Sequence, residues 1–487
     1  MAASEDRWET VVGLECHVEL STASKMFCGC RNEFGAPPNT NVCPVCLGHP
    51  GSLPVPNERA IEYIVRIGLA VGCDIAPRSL FHRKHYFYPD MPKNFQISQY
   101  DLPVCVGGHL DIEVDGWDRR IGITRVHMEE DTGKTTHSGA SGRISEADYA
   151  LIDYNRAGVP LVEVVSEPDM RSPEEAAAYL RELRVTLESL DVSDVRMEEG
   201  SLRCDANVSV RERGSQQLGV KVEIKNMNSV RSLERAVRYE AQRQRDALEA
   251  DRPLVQETRH WNEDAGVTSS MRSKEEAFDY RYFPEPDTPP LEPDPMWIEK
   301  LRVDLPELSA ARRARYEREL GLRAEPARVL AASREWAAFF EAAVEAGGDP
   351  AAAANLITQD LAGQLHKANI ELAASRITPT HIADLVRLAT DGTVSSAGVK
   401  QALEAAIETG DPIEAIVNDK GLTQVSDEEE LGAIVDVVIA ENPDPVAKVQ
   451  AGNDGVLGFL VGQVMQKSGG AANPQLAREL LRQRLSR

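Results

Sequence analysis

The feature that most constrains the fold of this chain is a proline-rich segment at residues 284–293, which holds five prolines in ten residues. Proline has no amide hydrogen and a fixed φ, so this segment cannot continue a helix or a central strand. All eight cysteines and eight of the ten histidines precede it, whereas only five aromatic residues lie beyond residue 300. We therefore interpret the segment as a linker and expect the chemistry before it.

The part before the linker mixes strand and helix patterns. Residues 161–165 form an apolar run with one acid, and residues 220–225 alternate between apolar and charged, which is typical of strands. Residues 172–175, Ser-Pro-Glu-Glu, predict a helix start, and the alanine-rich segments beyond residue 300 predict helices alone. The fold class is thus predicted to be α+β, with a mixed-sheet catalytic domain at residues 1–292, an all-α helical domain at 293–407 and a small all-α tail domain at 408–487.

Length and charge exclude several classes of protein. A chain of 487 residues is too long for one core, and two to four domains are expected. The acidic first residues predict no secretory signal. No apolar run approaches the roughly 20 residues that are needed to cross a bilayer. We therefore expect a cytoplasmic protein whose cysteines are reduced or bind metal. The net charge of −24 argues against general nucleic-acid coating. Residues 443–487 nevertheless carry six basic and three acidic side chains, a net +3, which leaves a tRNA partner open.

Four cysteines form two closely spaced pairs near the start of the chain. Cys28 and Cys30 are separated by one residue, and Cys43 and Cys46 by two. Such pairs favour tetrahedral Zn²⁺ with four thiolate ligands. The alternative is a cluster of reduced cysteines without metal. A zinc ion with four cysteine ligands has no open position, so it would brace the fold and take no part in catalysis.

A second set of ligand-type residues alternates along a predicted strand. Glu15, His17 and Glu19 lie two residues apart, so their side chains project from one face. Further ligands are expected from residues 127–131, His-Met-Glu-Glu-Asp, and from Glu163 in its apolar strand. Carboxylates hold Mg²⁺ while leaving positions for phosphate. The alternative for Glu163 is a buried acid in a salt bridge, because an unpaired acid is costly to bury.

Other polar residues suit a nucleotide. Lys134 lies in Asp-Thr-Gly-Lys-Thr, which resembles the end of a phosphate-binding loop but has Met128 where the P-loop pattern requires glycine. The remaining candidates also fit the solvated face of a sheet. They are Arg203 and Lys225 for phosphate or carboxylate, and Asp205, Asn207 and Glu223 for metal or nucleotide. The chain has no amidase-type paired serines and no glutaminase-type cysteine, so a reaction that consumes ammonia requires a partner.

These motifs resemble, in sequence and in order, those of the B subunits of tRNA-dependent amidotransferases. The resemblance covers nearly the whole chain. The matching stretches include residues 12–20, 86–90, 96–99, 125–134, 163–169, 198–207, 458–463 and 472–476.

The resemblance implies a cradle-shaped catalytic domain, a helical domain and a tail domain that contacts tRNA. The implied reaction uses ATP to phosphorylate the side-chain carboxylate of misacylated Glu-tRNA(Gln) or Asp-tRNA(Asn), after which ammonia displaces phosphate. The implied partners are the A subunit, an amidase that releases ammonia from glutamine, and a small C subunit. Carried onto this chain, the catalytic Mg²⁺ ligands are Glu15, His17, Glu130 and Glu163, with Glu19 and Glu129 as outer acids.

Two other functions are compatible with these patterns. One is a non-enzymatic tRNA-binding scaffold braced by zinc, and the other is a stand-alone ATP-dependent ligase with a small acidic substrate. The alternation of Glu15, His17 and Glu19 and the acid in a buried strand favour an enzyme, because a scaffold does not need them. The long helical tail disfavours the stand-alone ligase.

Overall fold

The computed structural model describes residues 7–138, 148–271, 280–424, 428–450, 454–468 and 472–485. Arg487, one of the basic residues counted in the predicted tRNA-contacting stretch, lies outside these ranges. The chain divides into two compact units, Met1–Leu308 and Ser309–Arg487. Within the described ranges, no helix combines the length and the apolar character needed to span a bilayer.

The first unit combines strands with four helices in its described part. The strands are β1 (Trp8–Glu19), β2 (Asp74–Ile75), β3 (His82–His85), β4 (Phe95–Ser98), β5 (Cys105–Val106), β6 (His109–Val114), β7 (Trp117–Glu130), β8 (Lys134–Ser138), β9 (Tyr149–Asp153), β10 (Pro160–Ser166), β11 (Leu202–Glu212), β12 (Val222–Met227), β13 (Glu257–Asn262), β14 (Val267–Ser270) and β15 (Phe283–Pro284). The helices are α1 (Glu58–Ala70), α2 (Pro173–Ser189), α3 (Val230–Glu249) and α4 (Pro295–Val303).

One mixed sheet of ten described strands organises this unit. Its order is β14-β13-β12-β11-β1-β10-β7-β5-β2, and β6 pairs with β7. The pairs are antiparallel except for β12 with β13. A three-stranded sheet, β15-β3-β4, and a two-stranded sheet, β8-β9, accompany it. The four central strands, β11, β1, β10 and β7, carry the site described below.

The two faces of the central strands differ in polarity. Leu14, Cys16 and Val18 of β1 are buried in the apolar core with residues of α1, α2 and α3. Glu15, His17 and Glu19 alternate with them and lie on the opposite face, because side chains alternate along a strand. Helices therefore cover the apolar face, and the polar face collects the ionisable residues.

The predicted helix start at residue 172 is confirmed. The Ser172 side chain accepts a hydrogen bond from the Glu175 amide at 3.1 Å, and Pro173 occupies the first helical position of α2. The cap satisfies an amide that has no partner within the helix. It thereby fixes where α2 begins and which of its residues face the sheet.

The described part of the second unit is all helical, as the sequence predicts. Its α-helices are α5 (Ser309–Glu319), α6 (Ala324–Ala331), α7 (Arg334–Glu345), α8 (Pro350–Asn355), α9 (Ala362–Ala368), α10 (Pro379–Thr390), α11 (Ser396–Thr409), α12 (Ile413–Asp419), α13 (Glu428–Glu441), α14 (Pro443–Gln450), α15 (Leu457–Lys467) and α16 (Pro474–Leu485). A π-helical segment, Leu356–Leu361, joins α8 to α9, and short 3₁₀ segments lie at Leu372–Ala374 and Asp454–Val456.

Two separate apolar cores lie in the second unit. One includes Tyr316, Phe340, Ile382 and Leu403. The other is formed by α13, α15 and α16. It contains Leu460 and other buried apolar residues between positions 431 and 485. The predicted domain divisions at residues 292/293 and 407/408 stay predictions. Helix α4, which follows the proline-rich segment, belongs to the first unit and buries Leu301 in the core of that unit.

Candidate active site

Four strands contribute one row of ionisable side chains to the polar face of the sheet. His17 of β1 lies opposite Arg203 of β11 on one side and opposite Glu163 of β10 on the other. Glu163 in turn lies opposite His127 of β7. Directly opposed residues share a face and have Cβ atoms only about 5 Å apart. The register therefore brings together residues that are up to 186 positions apart in the chain (203 − 17 = 186).

His17, Glu129 and Glu163 form a compact group of possible metal ligands. One donor atom of each lies within 4.8 Å of the others. His17 Nε2 is 3.6 Å from Glu163 Oε2, and His127 Nε2 lies 3.2 Å from the same oxygen and 3.5 Å from Glu129 Oε1. We call His17, His127, Glu129 and Glu163 the acid–imidazole cluster.

His127, Glu129 and Glu163 of the acid–imidazole cluster are buried, His17 is partly exposed, and the protonation of each group depends on its neighbours. Burial alone would lower the pKa of His127, but its hydrogen bonds to Glu129 and Glu163 raise that pKa to about 9. Burial alone would raise the pKa of Glu163, but the two histidines hold it below its usual value. The protein thus keeps two carboxylates ionised in a desolvated place, where a cation is favoured.

Residues of the small β15-β3-β4 sheet hold Glu129. Ser98 Oγ donates to Glu129 Oε1 at 2.7 Å, Gln96 Nε2 donates to Oε2 at 3.0 Å, and Lys84 Nζ lies 3.7 Å from Oε1. Burial alone would lower the pKa of the Lys84 ammonium, but the nearby Glu129 carboxylate raises it above its usual value. Sequence reasoning missed Lys84 as a site residue. The alternation of polar Gln96 and Ser98 with apolar residues in β4 was a signal for those two residues, but the sequence of β3, His-Arg-Lys-His, has no such pattern to indicate Lys84.

Glu130 does not join this cluster. It follows Glu129 directly on β7, and alternation turns its side chain away from Glu163. Its carboxylate makes an ion pair with Lys93 and accepts a hydrogen bond from the Ile97 amide at 2.9 Å. Together with Lys93 and Cys46, Glu130 lines a cavity of about 230 Å³. The structure thus places Glu129, and not Glu130, beside His17 and Glu163.

Glu15 lies on the polar face next to the cluster and is held by β11. Asn207 Nδ2 donates to Glu15 Oε1 at 2.8 Å. Glu15 lies opposite Asp205, whose carboxylate pairs with Lys225 at 2.5 Å, and Lys225 also lies 3.0 Å from Glu223. The nucleotide candidates Asp205, Asn207, Glu223 and Lys225 therefore occupy one polar strip beside Glu15. Burial alone would lower the pKa of Lys225, but the two carboxylates raise it above its usual value.

Arg203 and Glu19 belong to a second charged group beyond His17. Arg203 pairs with Asp131 at 2.5 Å and lies 3.9 Å from Glu19. Burial and the neighbouring Asp131 raise the pKa of Glu19 to about 8. Burial alone would also raise the pKa of Asp131, but Arg203 and Arg156 hold it below the usual value and so keep Asp131 ionised. Arg203 lies opposite His17 in the strand pairing, and its charge is paired with Asp131.

Lys134 is placed apart from these residues. It is exposed in β8, where it lies opposite Asp153 of the two-stranded sheet. It is not paired with any of the four central strands in the described structure. The structure therefore does not bring Lys134 into the row that contains His17 and Glu163.

The four cysteines of the predicted zinc site do converge. One Sγ atom from each of Cys28, Cys30, Cys43 and Cys46 lies within 4.8 Å of the others. The hydrogen bond with Cys28, helped by the nearby Lys25 ammonium and opposed by burial, lowers the pKa of Cys46 to about 5. Lys25 Nζ lies 3.8 Å from Cys46 Sγ. Four cysteine sulfur atoms at this separation fit a tetrahedral metal site, in which a bound metal would hold them as thiolates.

The residues of the acid–imidazole cluster also fit a metal. Two carboxylates and an imidazole converge on one place from three strands, β1, β7 and β10. Such a set binds a divalent cation that keeps waters or phosphate oxygens in its remaining positions. The arrangement is suited to chemistry on a phosphorylated substrate at the sheet surface.

Comparison with protein families identifies the chain. Residues 10–299 match the GatB/GatE catalytic domain, and residues 338–485 match the GatB domain. The chain belongs to the GatB/GatE family. It is 52% identical to the B subunit of the aspartyl/glutamyl-tRNA(Asn/Gln) amidotransferase of Moorella thermoacetica, over 98% of this chain and 100% of that protein. The B subunits of the same name from Carboxydothermus hydrogenoformans and Brevibacillus brevis are 50% and 48% identical, each over 99% of both chains.

Proposed function

We propose that this chain is the B subunit of a tRNA-dependent amidotransferase and carries its ATP-dependent amidation site. The observation that carries the proposal is the grouping of His17, Glu129 and Glu163 on the polar face, within a chain that belongs to the family over its whole length. The substrates are Glu-tRNA(Gln), Asp-tRNA(Asn) or both, as the names of the related B subunits indicate. Such an enzyme of translation works in the cytoplasm.

The chemistry explains why ATP and charged side chains are needed. A free carboxylate is a poor acceptor for ammonia, because oxide would have to leave. Transfer of the γ-phosphoryl group makes an acyl phosphate, and ammonia then displaces phosphate to form the amide. Because phosphoryl transfer spreads negative charge over the phosphate oxygens, catalysis depends on positioning and on nearby cations.

His17, Glu129 and Glu163 are the residues that we propose hold Mg²⁺. When bound, Mg²⁺ would neutralise the phosphates of ATP and orient them for transfer. His127 lies between the two carboxylates and fixes their positions. We also propose that Arg203, which lies opposite His17 in the strand pairing, binds a phosphate oxygen. Glu15 and Glu130, predicted as further ligands, remain predictions, and so does phosphate binding by Lys134.

We further propose that the cysteine group binds Zn²⁺ and has a structural role. Its four thiolates leave no ligand position for substrate. It orders the loop between β1 and α1, whose Cys46 packs against Gly158. Gly158 has a φ of +87°, and a Cβ there would lie 3.4 Å from that of Cys46, so glycine suits this close approach.

The partners follow from what the chain lacks. The sequence contains no amidase or glutaminase motif, so the A subunit, an amidase, must supply ammonia, and a small C subunit completes the assembly. The test is amidation of both misacylated tRNAs by the assembled complex, with glutamine or with ammonium as the nitrogen source. We expect amide formation to require ATP in both cases.

One substitution tests whether the amidation chemistry takes place in this chain. Glu163→Gln should abolish ATP-dependent amidation with either nitrogen source, while tRNA binding and the glutaminase activity of the amidase partner stay intact. An absence of ATP hydrolysis in the presence of misacylated tRNA would instead identify a tRNA-binding scaffold, and ATP-independent amidation would refute the proposed reaction. Full activity of the isolated chain with ammonium would identify a stand-alone ligase.

A further inference from the structure

Exposed aromatic side chains gather around the small β15-β3-β4 sheet. Tyr88 is 47% exposed and Tyr100 56%, and Phe87 and Phe283 are exposed as well. Apolar side chains that cluster in contact with solvent mark a surface that another molecule covers. The metal ligands proposed above do not explain why these rings are gathered here.

Five tyrosines form a continuous row beside this sheet. The rings of Tyr100 and Tyr282 are stacked, with centroids 4.4 Å apart and planes at 11°. The ring of Tyr280 lies 6.0 Å from that of Tyr282 and 6.3 Å from that of Tyr86, whose ring is 6.5 Å from that of Tyr88. Such separations are those of interacting aromatic rings. We call these five residues the tyrosine row; its two ends are exposed and its three middle members are partly buried.

Two distant segments supply the tyrosine row. The first surrounds β3 and β4, and the second precedes β15. Antiparallel pairing of β15 with β3 joins the two segments, and the His85 amide donates a hydrogen bond to the Tyr280 carbonyl oxygen at 2.9 Å. The backbone therefore fixes the rings of one segment against those of the other.

Lys84 connects the tyrosine row to the acid–imidazole cluster. Its Nζ lies 5.2 Å from the ring centroid of Tyr280 and 3.7 Å from Glu129 Oε1. The centroid and that oxygen are therefore at most 8.9 Å apart, the sum of the two distances. A glutamyl or aspartyl group spans about 4–5 Å from its ester carbonyl to its side-chain carboxylate. An aminoacylated nucleotide that stacks near Tyr280 thus brings its amino acid within reach of the cluster.

The tyrosine row has the chemistry of a site for single-stranded RNA. Unpaired bases stack on aromatic side chains with little regard to sequence, because every base has a π face. Cations accompany the rings: Lys84 lies over Tyr280, and the exposed Arg281 lies between Tyr280 and Tyr282 in the chain. Such side chains neutralise phosphates. A protein partner would also cover the rings, but it would not need their link to the cluster through Lys84.

We propose that the tyrosine row binds the single-stranded 3′ end of the tRNA substrate. The terminal adenosine, which carries the amino acid, lies beside Tyr280 near Lys84, and the base before it stacks on the exposed ring of Tyr100. The inference rests on the proposed function and adds an RNA subsite to it. In this arrangement the tyrosines bind and position the RNA, and phosphoryl transfer takes place at the acid–imidazole cluster.

The first test removes one ring at an exposed end of the row. Tyr100→Ala should raise the Kd of the assembled complex for deacylated tRNA by at least about fivefold, the effect of losing one base stack. Tyr100→Phe keeps the ring and should leave that Kd unchanged. A tRNA that lacks its last two nucleotides should bind the wild-type complex and Tyr100→Ala equally, because the stacked base is then absent. The control is Trp117→Ala, which removes a 79% exposed aromatic side chain at the start of β7 and should leave both Kd values unchanged.

The second test locates each nucleotide by photochemical cross-linking. In the wild-type complex, 8-azidoadenosine at the 3′ terminus of the tRNA should cross-link to the tyrosine row around Tyr280. With 5-iodocytidine at the preceding position, the cross-link should form to Tyr100. Mass spectrometry of the digested complex identifies the cross-linked residues. A cross-link from either position to residues outside the row and its flanking residues would overturn the proposal.

The outcomes separate this inference from the proposed function. If the wild-type complex amidates tRNA with ATP but Tyr100→Ala leaves the Kd for complete tRNA unchanged, the RNA subsite is wrong and the function stands. If Tyr100→Ala instead prevents the A subunit from co-purifying with this chain, the row is a protein interface and the proposal is overturned. Should Tyr100→Ala fail to fold, the cross-links of the wild-type complex decide. A wild-type complex without ATP-dependent amidation would refute the proposed function, whatever RNA binds to the row.

Discussion

The neighbouring acids Glu129 and Glu130 provide the sharpest test of the site, because the strand turns them to opposite sides. Glu129 lies with His17 and Glu163, whereas Glu130 is paired with Lys93. Replacement by glutamine removes one charge in each case and preserves size. We expect Glu129→Gln to weaken Mg²⁺ binding and Glu130→Gln to weaken the fold.

The magnitudes follow from the surroundings of each acid. Loss of a residue that merely supports a metal ligand costs 10- to 100-fold in metal affinity, so loss of a ligand should cost at least about 100-fold, or about 2.8 kcal/mol. The Lys93 side chain is only 7% exposed. Leaving such a buried charge without its partner costs about 3–5 kcal/mol, which should lower the Tm by at least about 6 °C.

Two measurements distinguish the variants. Titration of ATP-dependent amidation with Mg²⁺, using the assembled complex, should show a shifted requirement for Glu129→Gln and a nearly unchanged one for Glu130→Gln. Thermal denaturation without metal should show a lower Tm for Glu130→Gln and a nearly unchanged Tm for Glu129→Gln. A shift in the Mg²⁺ requirement for Glu130→Gln alone would refute the geometric argument and favour the ligand set that the sequence resemblance implies.

Three further predictions concern other parts of the chain. Cys46→Ala should remove one equivalent of bound zinc, measured by mass spectrometry of the metal. Arg83→Ala should lower the Tm, because it strips the buried Glu285 carboxylate of hydrogen bonds at 2.7 and 2.9 Å and costs about 3–5 kcal/mol. Burial lowers the pKa of His381, and its Nδ1 accepts the Thr378 amide at the start of α10. Protection of the α10 amides from hydrogen exchange should therefore fall as pH drops below about 6.5.

Each of these predictions has a control. An unchanged zinc content in Cys46→Ala would contradict the four-cysteine site. Arg120→Ala removes an exposed ion pair with Asp111 and should leave the Tm unchanged. An equal decrease in Tm for Arg83→Ala and Arg120→Ala would contradict the argument from burial. For His381, the neutral form is favoured in the fold, so its contribution is present above about pH 6.5 and is lost on acidification. His381→Gln should flatten that dependence, and a persistent pH effect would assign it to another group.

Part of this protein follows from the order of its residues alone. The two-residue alternation placed Glu15, His17 and Glu19 on one face, because side chains alternate along any strand. The spacing of the two cysteine pairs likewise predicted that they share one site. The Ser172-Pro173 sequence predicted the start of a helix, which the structure confirms. These features depend on residues within a few positions of one another, so local geometry is enough to predict them.

Only the tertiary structure decided which distant residues meet. The choice between Glu129 and Glu130 depends on the register of β7 against β10, and a shift of one residue would exchange their faces. Lys84 and its contact with Glu129 required the packing of a second sheet. The tyrosine row and the position of Lys134 on a separate sheet depend likewise on long-range strand pairing. Composition and spacing carry the chemical identity of the side chains, but register and packing set the distances between them.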